Sequence, residues 1–300
     1  MVIRGSSFTG LKRRGWSAWH LAAAMAAVGA CAWVASGAWA DLLHLAWNDE
    51  ESSHVLLVPF VVVWLIWVRR GRIRQCTPGG KAIGTFFMAV GWFLWSFGYR
   101  RQIQSFWHAG AVILAMGGLL TVIGKDAFFN FLPAFAVLVF LVPVPATGRQ
   151  IIALPLQQAT AYATQRVSEV LWLDVVRNGN LLTINGTNVA VVEACNGMRM
   201  VFTLFLASYV FAFVTPLRGY VRFLILAACP LTAVVSNVIR LVPTVWMFGQ
   251  YGHTSPQIAE RFHDISGWVM LMVAFLGLLG IVRVLRWAMV PVAPFRLASN

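Results

Sequence analysis

The residues with the clearest chemical potential surround Cys195, which lies in the segment EACNGMR (residues 193–199) immediately before a long apolar run. A thiol at such a boundary can face water while the following helix anchors it in a bilayer. A helix N-terminus and a nearby arginine, here Arg199, both favour the thiolate, which is the nucleophilic form of cysteine. The segment therefore predicts a nucleophilic cysteine at a membrane surface.

The other three cysteines have simpler interpretations. Cys31 and Cys229 fall inside apolar runs, and Cys76 lies in a basic loop. Each is most simply a small buried or loop residue. Cys195 has no obvious disulfide partner on its side of the membrane, and reactivity is the usual explanation for an unpaired thiol there.

Two further polar positions are predicted at the same membrane depth. Arg240 ends the segment SNVIR (236–240), about 27 Å along its helix from Arg222, with Asn237 one turn before it. His263 lies in RFHDISGW (261–268), which opens the last apolar run. Ionisable groups within membrane spans are costly and usually functional.

A cysteine, a histidine and an arginine together suit attack on a peptide carbonyl. The thiolate attacks, the imidazole moves protons, and the guanidinium donates hydrogen bonds to the developing oxyanion. Lipid snorkelling of Arg240 and helix capping by His263 remain alternatives. His253 is a second candidate for the base. The residues Glu193, Asn196, Arg199 and Asn237 are candidates for supporting the site or binding substrate.

The composition indicates the fold that must position these residues. The 300-residue chain is 59% hydrophobic and 11% charged, with a mean hydropathy of +0.74. This balance predicts an all-α integral membrane protein, a single polytopic domain over residues 1–300. About eight spans are predicted, at 18–40, 54–68, 82–98, 106–123, 127–142, 197–215, 222–247 and 266–286.

The charge pattern predicts the orientation. The net charge is +13, but the basic residues lie between apolar runs, which argues for topology control and against nucleic-acid binding. Alternate connections are basic, which predicts cytoplasmic N- and C-termini and an active site on the outer face. The cytoplasmic set comprises Arg4, Lys12, Arg13, Arg14, Arg69, Arg70, Arg72, Arg74, Lys81, Lys125, Arg218, Arg222, Arg283, Arg286 and Arg296.

One long outer connection, at 143–194, precedes the cysteine. Residues 150–172 place apolar side chains at helical spacing, which predicts an amphipathic helix lying at the interface. Asn178-Gly179 and Asn185-Gly186 then separate short runs of β-forming residues, a pattern typical of hairpin turns. The sequence thus predicts a small extracytoplasmic insertion, an amphipathic helix followed by a β-hairpin, that delivers the chain to Cys195.

The ordered motifs EACNGMR, SNVIR and FHDISGW resemble the three signature motifs of the exosortase/archaeosortase family, and WNDEESSHVLLVP (47–59) resembles that family's first outer loop. The resemblance spans roughly residues 45–285. It implies a bacterial membrane cysteine transpeptidase or protease, with the family's catalytic residues carried over to Cys195, Arg240 and His263. Asn196 departs from the family pattern, which usually has serine there.

The resemblance also implies the partners. Such enzymes process exported proteins at a C-terminal signal made of a Pro-Glu-Pro motif, a transmembrane helix and a basic tail. No cofactor or metal is expected, because the spacing of Asp49, Glu50 and His54 matches no standard ligand pattern. Two alternatives remain: a transporter of anionic solutes, and a non-catalytic scaffold for envelope polysaccharide assembly.

Overall fold

The computed structural model describes residues 17–79, 81–191, 197–215, 217–252 and 254–288. The chain divides into two compact units, one formed by residues 1–45 and 58–143, the other by residues 46–57 and 144–300. The helices of the first unit are α1 (Ala18–Val34), α2 (Ser36–Asn48, which runs into the second unit), α3 (Val58–Val68), α4 (Lys81–Arg101), α5 (Gln104–Asn130) and α6 (Leu132–Ala136), with 3₁₀ helices at Arg70–Gln75 and Val137–Leu141.

The first predicted span, 18–40, is not one straight helix. Helix α1 ends at Val34, and α2 leaves it at a bend of 82°. The bend falls at Ala35, directly before Ser36 and Gly37, and Gly/Ser pairs are a recognised cause of sharp kinks. On either side of it, Cys31, Ala35 and Ala38 pack against Ala111 and Leu114 of α5.

Helices α4 and α5 form the tightest pair in the first unit. Gly84, Gly91 and Gly98 of α4 are buried at a spacing of seven residues, so they share one face of the helix. A Cβ atom at Gly91 would collide with the backbone of Leu114, and reciprocally one at Gly110 would collide with the backbone of Trp95. Small residues of this kind allow close helix approach inside a membrane.

The described helices of the second unit are α7 (Ala146–Val170), α8 (Gly197–Val214), α9 (Gly219–Tyr251) and α10 (Pro256–Ala288), with a 3₁₀ helix at Glu50–Leu57. A helix is therefore present where the amphipathic helix is predicted at 150–172, and it starts four residues earlier, at Ala146. Strands β1 (Val175–Asn178), β2 (Leu181–Ile184) and β3 (Thr187–Ala190) follow α7 and form one antiparallel sheet in sequence order.

The sheet has the turn that its sequence favours. Asn185 and Gly186 both have positive φ, as the two-residue turn between β2 and β3 requires. Leu182, Ile184 and Val189 form a core with Ala161 of α7 and Leu241 of α9, among others. The sheet is thus packed against both α7 and α9.

Three of the described helices, α4, α5 and α9, are long and apolar enough to cross a membrane, and the bent pair α1–α2 could make a fourth. Shorter apolar helices cover 52–68, 132–141 and 201–214. The prediction of eight spans is not confirmed by this criterion. The predicted break after residue 123 corresponds to a kink within α5, where Gly124 has φ 82°.

Candidate functional site

Helix α9 carries a polar face that is buried inside the protein. Ser236, Asn237, Arg240 and Thr244 are between 0% and 6% exposed, although the helix is otherwise largely apolar. They recur at three- and four-residue intervals, which places them on one side of the helix. Since Arg240 is only 4% exposed, it does not lie on the lipid-facing surface, and this argues against snorkelling.

The polar face also contains a specific local hydrogen bond. The Thr244 hydroxyl donates to the carbonyl oxygen of Arg240 at 2.8 Å. Pro243 lies within this turn and cannot donate a backbone hydrogen bond, so the turn is one where the regular ladder is interrupted. Among the described residues, the Asn237 Oδ1 atom is buried and has no hydrogen-bond partner. A buried acceptor of this kind is costly unless a ligand or water uses it.

Three helices that carry predicted site residues pack against one another. Leu204 of α8 and Cys229 and Ala233 of α9 form a buried cluster, and Met270 of α10 packs onto it. The Cys229 thiol lies 3.9 Å from the Val201 carbonyl oxygen, a further contact between α9 and α8. This cluster provides a common reference level from which positions along the three helices can be counted.

The structure shows where His263 lies along its helix, and this argues against the helix-capping alternative. The sequence places it at the opening of the eighth span, but α10 begins at Pro256, seven residues earlier. Proline is favoured in the first turn of a helix, and the Ser255 carbonyl accepts the first hydrogen bond, from Ile258. His263 therefore occupies a position about two turns inside α10 and is not at its cap.

Several predicted site residues lie outside the described residues: Glu193, Cys195, Asn196 and His253. Arg199 and His263 have described backbones, in α8 and α10, without described side chains. Of the eight candidates, the structure therefore brings together Asn237 and Arg240, one turn apart and both buried on α9. The assembly of the remaining candidates stays a prediction.

The sheet holds the chain just before the cysteine motif. Val191 is completely buried, and its N–H donates to the Asn180 carbonyl at 2.9 Å. It belongs to the same core as Leu241 and Val245 of α9, and Leu241 directly follows Arg240 in sequence. The segment that leads toward Cys195 is thereby anchored next to the arginine-bearing turn.

A second polar group was not assigned a site role from the sequence. The Ser52 hydroxyl donates to the Asp49 carboxylate at 2.8 Å, and the Arg149 guanidinium of α7 lies 3.5 Å from the same carboxylate. The ring of His54, which is 6% exposed, stacks on Phe202 of α8 at 4.6 Å. The 47–59 segment is thus fastened to α7 and to α8. The resemblance of this segment to the family's first outer loop was the only sequence signal for it. The spacing of its residues did not reveal these contacts.

Within the described residues, no group of three or more histidine, cysteine or acidic side chains lies close enough to hold a metal. In a comparison with protein families, residues 46–280 match the model described as "Transmembrane exosortase (Exosortase_EpsH)". Neither a curated protein nor a solved structure matches the chain significantly. The family match includes the outer-loop segment, the sheet, the buried polar face of α9 and the position of His263. Because it covers well over half of the chain, the protein belongs to the transmembrane exosortase family.

Proposed function

We propose that this protein is a membrane cysteine transpeptidase or protease that processes exported proteins through a thioester on Cys195, with Arg240 and His263 assisting. The observation that carries the proposal is the burial of Arg240 on a polar face of α9, beside the core that anchors the chain before Cys195. A permanently charged side chain is expensive inside a membrane protein, and such residues usually serve function.

Counting from the common cluster supports a shared level for Arg240 and His263. Arg240 lies seven residues after Ala233 on α9, and His263 lies seven residues before Met270 on α10. Each offset is about 10.5 Å and close to two full turns. The two helices are consecutive and run in opposite directions, so both positions are displaced from the cluster toward the same side.

The reach of the chain supports placing Cys195 at this level too. Four peptide units separate it from Val191, whose side chain packs with Leu241 and Val245. Four residues extend the chain by no more than about 14 Å. Gly197, two residues further on, begins α8, which also packs on α9. A short segment between two anchored points beside the same helix suits a nucleophile aimed at a fixed site.

The chemistry follows from these roles. The Cys195 thiolate attacks the substrate carbonyl carbon, and the oxyanion that forms accepts hydrogen bonds from Arg240. The C–N bond then breaks while His263 gives a proton to the departing amine, which leaves an acyl thioester. Water or an acceptor amine next attacks the thioester carbonyl and gives a proton to His263, which is now neutral; the C–S bond breaks, and the thiolate is regenerated. His253 is the alternative proton carrier.

The proposed substrate is an exported protein with a C-terminal Pro-Glu-Pro motif, a transmembrane helix and a basic tail. Anchoring the substrate helix in the same bilayer raises the effective concentration of the scissile segment near the thiol. The proposed location is the bacterial inner membrane, with both termini in the cytoplasm and the site on the outer face. The basic connections predicted from the sequence support this orientation.

The test is co-expression with a tagged substrate of this type, followed by immunoblot. The wild type should convert the substrate to a smaller form, and Cys195→Ala should abolish the conversion while inserting normally. Cys229→Ala is the matched control, since that thiol is buried in the helix cluster and should be dispensable. Conversion by Cys195→Ala at the wild-type level would overturn the proposal. A transporter or a scaffold would tolerate the loss of this thiol.

A further inference from the structure

The first unit contains a cavity that the proposed reaction does not use. Its volume is about 380 Å³, within the range typical of ligand sites, and its lining is entirely apolar. The walls come from α1, α3, α5, α6 and the 3₁₀ helix Val137–Leu141. One end is formed by Ile73 and Cys76, which lie in and directly after the turn Arg70–Gln75.

Cys76 is the single lining residue with a polar hydrogen, and this hydrogen is already used in a hydrogen bond. The Cys76 thiol donates to the Arg72 carbonyl at 3.4 Å, and the Asn130 amide donates to the sulfur at 3.6 Å. The cavity is partly open to its surroundings, and its lining offers no polar group to water. Water against these apolar walls is unfavourable, and so is leaving the walls without packing partners. An apolar occupant is the favourable way to fill it.

The end of the cavity at Ile73 and Cys76 is strongly cationic. Residues 69–81 hold five arginines and lysines and no acidic residue. Arg70 and Arg72 are exposed on the turn itself, and the Arg70 guanidinium lies 4.3 Å from the ring centre of Trp67. Tryptophan favours the headgroup level of a bilayer. Cations beside it are therefore well placed to contact lipid phosphates.

The closest acidic side chain in this part of the first unit is already engaged. The Thr77 hydroxyl donates to the Asp126 carboxylate at 2.6 Å, and the Gly79 N–H donates to the Val122 carbonyl at 3.0 Å. These bonds fix the loop after the turn onto α5, next to the kink at Gly124. The loop end of the cavity is thereby held in place while the arginines remain exposed.

We propose that this cavity binds one acyl chain of an anionic phospholipid, whose phosphate is held by Arg70 and Arg72. Basic pockets between membrane helices are a known way to recognise anionic headgroups. A second candidate occupant, the transmembrane helix of a sorting signal, fits poorly because its basic tail would meet the same cations. The lipid site is independent of the proposed reaction.

The test uses full-length protein purified in a neutral detergent, with equal amounts of dioleoyl phosphatidylglycerol and phosphatidylcholine added, and native mass spectrometry to count bound lipid. The wild type should retain phosphatidylglycerol preferentially. Arg70→Gln with Arg72→Gln should weaken that preference by about thirtyfold. The matched control is Arg100→Gln with Arg101→Gln, an exposed pair at the opposite end of α4, which should leave it unchanged.

The cavity itself is tested by filling it. Ala134→Leu, at a buried lining position, should abolish retention of the lipid while the melting temperature stays near that of the wild type. Leu138→Phe provides a second filling variant if Ala134→Leu does not fold. Three results would each overturn the proposal. The wild type could retain the two lipids equally, the two double-arginine variants could show equal losses, or a folded cavity-filling variant could retain the lipid fully.

Discussion

The buried faces of α4 and α9 differ in the types of residue that they contain. Helix α4 buries Gly84, Gly91 and Gly98, and the backbone of α5 takes the space where side chains would be. Helix α9 instead buries Asn237 and Arg240, which bring polar atoms and a charge into the protein interior. Close packing needs only small residues, whereas burying polar groups is costly without a compensating role. The comparison supports the proposal that the polar face of α9 is the chemical surface, with the α4–α5 pair as scaffold.

The largest expected effect is the loss of Arg240, which distinguishes a chemical role from a structural one within α9. Arg240→Gln removes the charged donor and should lower substrate processing by about 100- to 1,000-fold, as loss of an oxyanion donor does elsewhere. The measurement is the initial rate of tagged-substrate conversion, with size-exclusion chromatography to confirm folding. Arg222→Gln, on the same helix over the Phe213 ring, is the matched control and should process normally. Equal losses in both variants would mean that any charge on α9 matters only for insertion.

The sheet should behave as a structural support for the chemical surface. Leu182 is completely buried between α7 and α9, and Leu182→Ala should lower the free energy of unfolding by about 3 kcal/mol. Processing should fall with it, because Val191 shares that core. Val176→Ala on the neighbouring strand is the control, since Val176 is 60% exposed. The measurement is thermal unfolding of both variants. Similar melting temperatures would contradict the packing of Leu182 against the helices.

The glycine face should affect stability without a specific effect on chemistry. Gly91→Ala places a methyl group against the Leu114 backbone and should cost about 2 kcal/mol, seen as a lower melting temperature. Gly29→Ala in α1 meets no atom within 4 Å and should be neutral. Folded Gly91→Ala protein should retain its processing rate per molecule. A normal melting temperature would show that α4 and α5 do not approach so closely.

The smallest expected effect concerns the outer-loop segment. Asp49 and Arg149 are each about one third exposed, so Asp49→Asn should change the free energy of unfolding by about 0.5 kcal/mol or less. Processing should fall more than stability if this segment borders the substrate path. Glu169→Gln, which removes the partner of Arg166 on the exposed face of α7, is the control. Similar small changes in stability and processing in both variants would show that Asp49 has only a surface role.

Local sequence patterns predicted some parts of this fold well. Apolar spacing predicted a helix at 150–172, and one is present at Ala146–Val170; the positive φ values at Asn185 and Gly186 follow from the Asn-Gly turn signal. Arg240 could be singled out because an arginine deep in an apolar run is rare. These features depend on residues close together in the chain.

Some features that were not predicted depend on distant partners, and others had local signals that the apolar pattern did not include. The 82° bend after Val34 occurs where α1 and α2 pack along α5, and no proline marks it. The start of α10 at Pro256, seven residues before His263, was missed because the span was placed from the apolar run alone and the first turns are polar. The stacking of His54 on Phe202 joins residues from separate segments, so spacing along the chain could not reveal it.

The most direct test of the central claim is to intercept the thioester. Membranes containing the protein and its substrate are treated with hydroxylamine, and the new C-terminus of the processed product is analysed by mass spectrometry. Hydroxylamine attacks a thioester to release a hydroxamate, so the wild type should yield a product ending in hydroxamate, and Cys195→Ala should yield none. A product that ends only in a free carboxylate, or hydroxamate formed equally by Cys195→Ala, would contradict a thioester on Cys195.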